Sequence, residues 1–112
     1  MKKAITLLLL FVVIGVFSFG QEFGSLRGLV KDENNIPLPG VTVTLSGSKI
    51  APMTAITTAG GHFRFMNLPI ADDYLVRFEL DGFQTTSREM VRVAYNMEVN
   101  LDILMTAAAI SE

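Results

Sequence analysis

Apolar and polar residues alternate along most of the chain from residue 26 onward, and a period of two marks half-buried β-strands. The clearest run sets Tyr74, Val76, Phe78 and Leu80 against Leu75, Arg77 and Glu79. Leu26, Gly28 and Val30 alternate with Arg27, Leu29 and Lys31; Val41, Val43 and Leu45 alternate with Thr42 and Thr44. Phe63 and Phe65 face away from His62, Arg64 and Met66. Two later strands are predicted, Met90–Tyr95 and Met97–Met105, together with a less regular one over Met53–Thr58. Turn chemistry separates these runs: Asp32–Asn35, Ser46–Ser48, Ala59-Gly60-Gly61, Asn67-Leu68-Pro69, Asp81-Gly82 and Asn96. No window of helical spacing with caps competes. Seven short strands with turns every 8 to 12 residues predict an all-β antiparallel sandwich.

The segment Asp32–Leu45 organises this pattern. Pro37 and Pro39 have no N–H to give a ladder, so the chain must cross an open end of the sandwich there. Gly40 permits the sharp turn into the next strand. Phe63, Phe65, Tyr74, Phe78 and Phe83 fall on inward positions and are expected in the core. Tyr95 is the one aromatic residue expected on a surface where a sugar ring could stack.

The start of the chain has a different composition. Met1-Lys2-Lys3 is a short basic stretch, Ala4–Phe19 is an uncharged, mostly apolar run of 16 residues, and Ser18 and Gly20 are small. This is the layout of a secretory signal peptide, with cleavage expected after Gly20. A retained anchor or buried helix is the alternative, but the run is shorter than the roughly 20 residues that span a bilayer. The chain has no cysteine, which excludes a lipid-modified cysteine and leaves packing alone to hold an exported domain together. The 92 residues from Gln21 to Glu112 are enough for one domain. They carry seven basic residues against eleven acidic ones, a net charge of −4 that disfavours nucleic acid as a partner.

Four segments in order carry a family resemblance: GLVKD (28–32), PLPGVTVTL (37–45), TTAGGHFRFMNLP (57–69) and YLVRFELDGF (74–83). Together they resemble the carboxypeptidase regulatory-like domain, which implies a seven-stranded antiparallel Greek-key β-sandwich of the transthyretin-like (prealbumin-like) class over residues 21–106, behind a signal peptide at 1–20. Two positions depart from that family's pattern. Thr58 stands where an aspartate before the hairpin glycines is usual, and Ala71-Asp72-Asp73 where a glycine before the tyrosine is common. Both departures bear on local turns. The signal peptide, this domain and the ending LDILMTAAAISE (101–112) together resemble the amino-terminal extension of certain TonB-dependent outer-membrane receptors. On that resemblance, residues 107–112 begin a linker towards a plug domain and barrel that this sequence does not include. The expected location is the periplasm or outer membrane of a Gram-negative-type bacterium.

Candidate chemistry is sparse. His62 is the only histidine, too few for a zinc carboxypeptidase or a transthyretin-like hydrolase. Ser25, Ser46, Ser48, Ser87 and Ser111 have no credible His–Asp pair to activate them. Asp32-Glu33 and Asp72-Asp73 would offer oxygen ligands to calcium if their loops met, although no calcium-loop motif is present. Gly60-Gly61 lacks the basic residue and the helix of a phosphate loop, and Arg64, Arg77, Arg88 and Arg92 are spread over separate strands. The expectation is a non-enzymatic module with no catalytic, cofactor-binding or metal-binding residue and no cofactor. Its expected partners are other envelope proteins or the rest of a receptor chain, reached through an exposed strand edge. A free-standing module that binds glycan or protein is the alternative. A membrane is involved only through the barrel that this sequence lacks.

Overall fold

A computed structural model describes residues 22–109, so the expected signal peptide at 1–20 and the end of the tail at 110–112 lie outside the described residues. Seven strands and no helix make up the described chain: β1 Phe23–Lys31, β2 Thr42–Gly47, β3 Ile50–Ile56, β4 His62–Pro69, β5 Ala71–Glu79, β6 Thr86–Val93 and β7 Glu98–Leu104. They form two sheets, β4-β1-β7 and β3-β2-β5-β6, with the Greek-key sandwich connectivity that the resemblance implies.

Four of the five strand pairings are antiparallel, as expected, but β1 and β7 run parallel in register from Ser25↔Glu98 to Lys31↔Leu104. The reason is topological. After β6 the chain changes sheets, and β7 enters beside β1 in the same direction. Alternation predicts which face a residue takes and is silent about which strand lies next to it.

The core holds the residues that alternation assigns to the inside. Leu26, Val30, Val43, Leu45, Tyr74, Val76 and Phe78 have no exposed surface. Each such side chain contributes about 1.5–3 kcal/mol on burial. Phe63 packs edge-on against Phe78 with ring centroids 5.3 Å apart, and against Phe65 at 6.4 Å, a favoured aromatic geometry. The Phe63 ring lies over Gly28, where a Cβ would collide with it and with the Leu101 carbonyl oxygen. Glycine at 28 is what lets β4 and β7 close on β1. Phe83 is half-buried rather than fully inside, and it bridges to Ala107.

Several strand limits differ from expectation because bulges shift the period of two. Asn67-Leu68-Pro69 does not break β4. Asn67 takes a positive φ of 56° in a bulge, and the strand resumes with Leu68 fully buried. Residues 71–73 belong to β5, which carries an extra residue between Ala71 and Tyr74 opposite β6. In turn, β6 carries an extra residue near Met90, whose φ is 54°, and so begins at Thr86 instead of Met90. Tyr95 lies beyond its end.

Candidate functional site

The outer face of the three-stranded sheet gathers charge from all three of its strands. Arg64 on β4 and Arg27 on β1 are cross-strand partners, an arrangement of like charges that is unfavourable by itself. Glu98 on β7 resolves it. One carboxylate oxygen pairs with Arg27 Nε at 3.0 Å and the other with an Arg64 guanidinium nitrogen at 3.0 Å, while the Ser25 hydroxyl donates to that second oxygen at 3.3 Å. The alternation of β1, β4 and β7 sends all four side chains outward, and β1 between the others brings them within reach. A groove of about 570 Å³ runs over this face, with Arg27, His62, Arg64, Asn100 and Asp102 along it. Ile56 and Thr58 line it from the end of β3 and the turn that follows.

This face offers hydrogen-bonding groups on all three strands. His62 and Asp102 both sit opposite Leu29, on β4 and β7, so they are two strands, roughly 10 Å, apart. Among the described residues no ion pair joins the His62 ring to the Asp102 carboxylate. The Ser25 hydroxyl is committed to Glu98. The polar groups that remain, two guanidiniums held by a shared carboxylate and the neighbouring Asn100 and Asp102, suit hydrogen-bonding recognition of a polar partner.

The acidic residues weighed for calcium do not meet. One Asp32 carboxylate oxygen accepts from the N–H groups of Asn34 (2.8 Å) and Ile36 (3.0 Å), closing the β1–β2 turn at the end of the sandwich that also holds Pro37 and Gly61. Asp73 sits at the other end of the sandwich, where Oδ2 accepts from Ser48 N–H at 3.2 Å and ties β5 to the β2–β3 turn. Among the described residues, no three His, Cys, Asp or Glu side chains converge as metal ligands would. The Asp73 carboxyl is held below the usual carboxylate range, first by the Ser48 hydroxyl beside it and then by backbone N–H groups and Lys49, against an opposing effect of burial. Burial, with the Asp73 charge added, pushes the neighbouring Tyr74 phenol up. That phenol donates to the Pro69 carbonyl at 2.6 Å.

One polar residue escaped the sequence reading. Thr57 is the buried polar residue of the described core. Its hydroxyl donates to the Leu38 carbonyl at 2.6 Å and accepts from Val41 N–H at 2.9 Å. It therefore fastens the Pro37–Gly40 crossing to the end of β3. Thr58, in place of the family's usual aspartate, has its hydroxyl near His62 N–H at 3.3 Å, and its carbonyl accepts from Gly61 N–H at 2.9 Å. The hairpin turn is built without the carboxylate.

Residues 25–106 match the family model of the carboxypeptidase regulatory-like domain. The chain belongs to that family. As a family member it is similar to the TonB-dependent transporter Oar of Myxococcus xanthus, with 24% identity over 102 residues that cover 90% of this chain and 10% of the transporter. The chain thus spans about a tenth of that transporter's length. Among solved structures, the regulatory-like sandwich resembles the TIE protein of Bacillus anthracis, with a TM-score of 0.63 and 21% identity over 77% of this chain and 17% of that one. It also resembles a minor pilin of Streptococcus agalactiae, with a TM-score of 0.61 and 19% identity over 82% of this chain and 48% of that one. At these identities the two likenesses establish the fold alone. Among the described residues no helix is long and apolar enough to cross a membrane.

Proposed function

We propose that this chain is an exported, non-catalytic β-sandwich module that forms the amino-terminal periplasmic domain of a TonB-dependent outer-membrane receptor. The observation that carries the reading is the similarity to a TonB-dependent transporter over 90% of this chain. In this reading residues 1–20 are a signal peptide removed after Gly20, residues 21–106 are the module, and residues 107–112 open the linker to the plug. The module works by association. The Arg27–Glu98–Arg64 face presents a fixed pattern of charge to other envelope proteins or to the rest of the receptor.

The test follows the protein in its own host. An antibody against residues 25–106 is expected to mark an outer-membrane species several times the mass of this chain, with Gln21 at its amino terminus. A small species of this chain's own mass, soluble in the periplasm, overturns the receptor reading in favour of a free-standing binding module. An uncleaved cytoplasmic product overturns both.

A further inference from the structure

The two sheets leave four edge strands, and one of them differs from the rest. β4, β6 and β7 each carry charged side chains, and β4 and β6 are also bent by bulges at Asn67 and Met90. Charges and bulges are the usual means by which a sheet edge is kept from pairing with another chain. β3 has no charge at all, and none occurs from Ile50 through Gly61. It overhangs the core: Met53, on the inner face, is 38% exposed and Ile56, on the outer face, 65%.

The register of β3 against β2 determines what its free side offers. Thr57 N–H donates to the Val41 carbonyl, and Thr42 pairs with Ile56, Val43 with Ala55 and Thr44 with Thr54. In an antiparallel ladder of that phase, Ala55 turns its N–H and C=O towards β2, while Thr54 and Ile56 turn theirs away. The free edge therefore presents a donor and an acceptor at Thr54 and again at Ile56. Pro52, which has no N–H, lies in the bulge at the start of the strand and ends the pairing surface there.

We infer that the β3 edge is a self-association surface that pairs antiparallel with β3 of a second copy about a two-fold axis at Ala55. The hydrogen-bonding set is its own complement. With Ala55 opposite Ala55 of the partner, Thr54 faces Ile56 in both directions, and four backbone hydrogen bonds form with no group left over. The side chains agree with this register. Alanine occupies the close pair on the axis, and β-branched Thr54 and Ile56 form the flanking cross-strand pairs. The partner strand brings no charge against this edge, whereas self-pairing of the other edges brings charged side chains together. The two four-stranded sheets become one of eight strands, and the overhanging Met53 is covered.

The contact is one strand wide, so the dimer is weak and depends on concentration. The experiment is sedimentation of residues 21–112 of the chain, up to about 1 mM, where an association of even about 4 kcal/mol is visible. A monomer–dimer equilibrium is expected, with amide exchange at Thr54 and Ile56 slowing as concentration rises while Ala55, already paired, stays constant. Thr54→Pro removes one outward donor per copy, and Ile56→Lys sets two like charges across the axis. Each is expected to shift the equilibrium at least tenfold towards monomer with the β-sheet circular dichroism retained. A strict monomer at the highest concentration overturns the inference, as does a dimer that both variants leave intact. Slowed exchange at Thr54 and Ile56 only when a foreign strand is added overturns it too, because the edge then serves a different partner.

Discussion

Two polar constellations hold segments of this domain together, in opposite surroundings. The Thr57 hydroxyl joins Leu38 to Val41, buried beneath the Pro37–Gly40 crossing. The Glu98 carboxylate joins Arg27, Arg64 and Ser25 on the open face of the three-stranded sheet. Water competes for every bond in the second and for none in the first. A buried hydrogen bond is worth most when one partner is removed, because the groups left behind are desolvated and unpaired. An exposed ion pair loses little on removal, because solvent takes its place. The neutral hydroxyl is therefore the structural element, and the charged cluster contributes little to holding the fold.

The largest effect follows from emptying the buried constellation. Thr57→Val keeps the shape of the side chain and removes its donor and acceptor, leaving the Leu38 carbonyl and Val41 N–H facing an apolar group. The expected loss is about 1–3 kcal/mol in chemical denaturation. An unchanged midpoint would mean that water reaches the Pro37–Gly40 crossing, and the contrast with Glu98 would lose its basis.

The two constellations also differ in how far the sequence discloses them. Alternation identifies the inward faces at Leu26–Val30, Val41–Leu45, Phe63–Phe65 and Tyr74–Phe78, because face depends only on local phase. It loses that phase at Asn67 and Met90, where one extra residue with positive φ is absorbed, and so misplaces the ends of β4 and β6. The Thr57 role is invisible in sequence. It exists only because residues 16 and 19 positions away return beside the hydroxyl. The outer cluster is half visible: the outward phase of Arg27, Arg64 and Glu98 is readable, but the parallel placement of β7 beside β1 that joins them is not.

Glu98→Gln tests the exposed constellation. It keeps the size of the side chain and one acceptor while removing the charge that offsets the Arg27–Arg64 pair. The expected change in stability is below about 1 kcal/mol, and it shrinks further as salt is raised, because screening weakens both the lost attraction and the uncovered repulsion. A loss as large as that of Thr57→Val would place Glu98 among the structural elements and leave the face no freedom to serve a partner.

Asp73 lies between the two cases, and it gives the smallest effect. Its Oδ2 accepts from Ser48 N–H at the turn, while Oδ1 is shielded from solvent without a hydrogen-bond partner. The carboxyl is held below the usual carboxylate range in the folded state, chiefly by Ser48. A depressed carboxyl contributes stability that is fully present above its unfolded value and disappears as pH falls through the folded one. Asp73→Asn retains an acceptor for Ser48 and removes the charge, so its melting temperature is expected to lie slightly below that of the parent at neutral pH. The two curves should begin to converge as pH falls below the unfolded aspartate value of about 4 and meet only below the lower folded value, where the parent's carboxyl takes up its proton. A gap that persists unchanged into acid would assign the Asp73 contribution to the shape of the turn, and charge would then matter at neither the half-buried nor the exposed carboxylate.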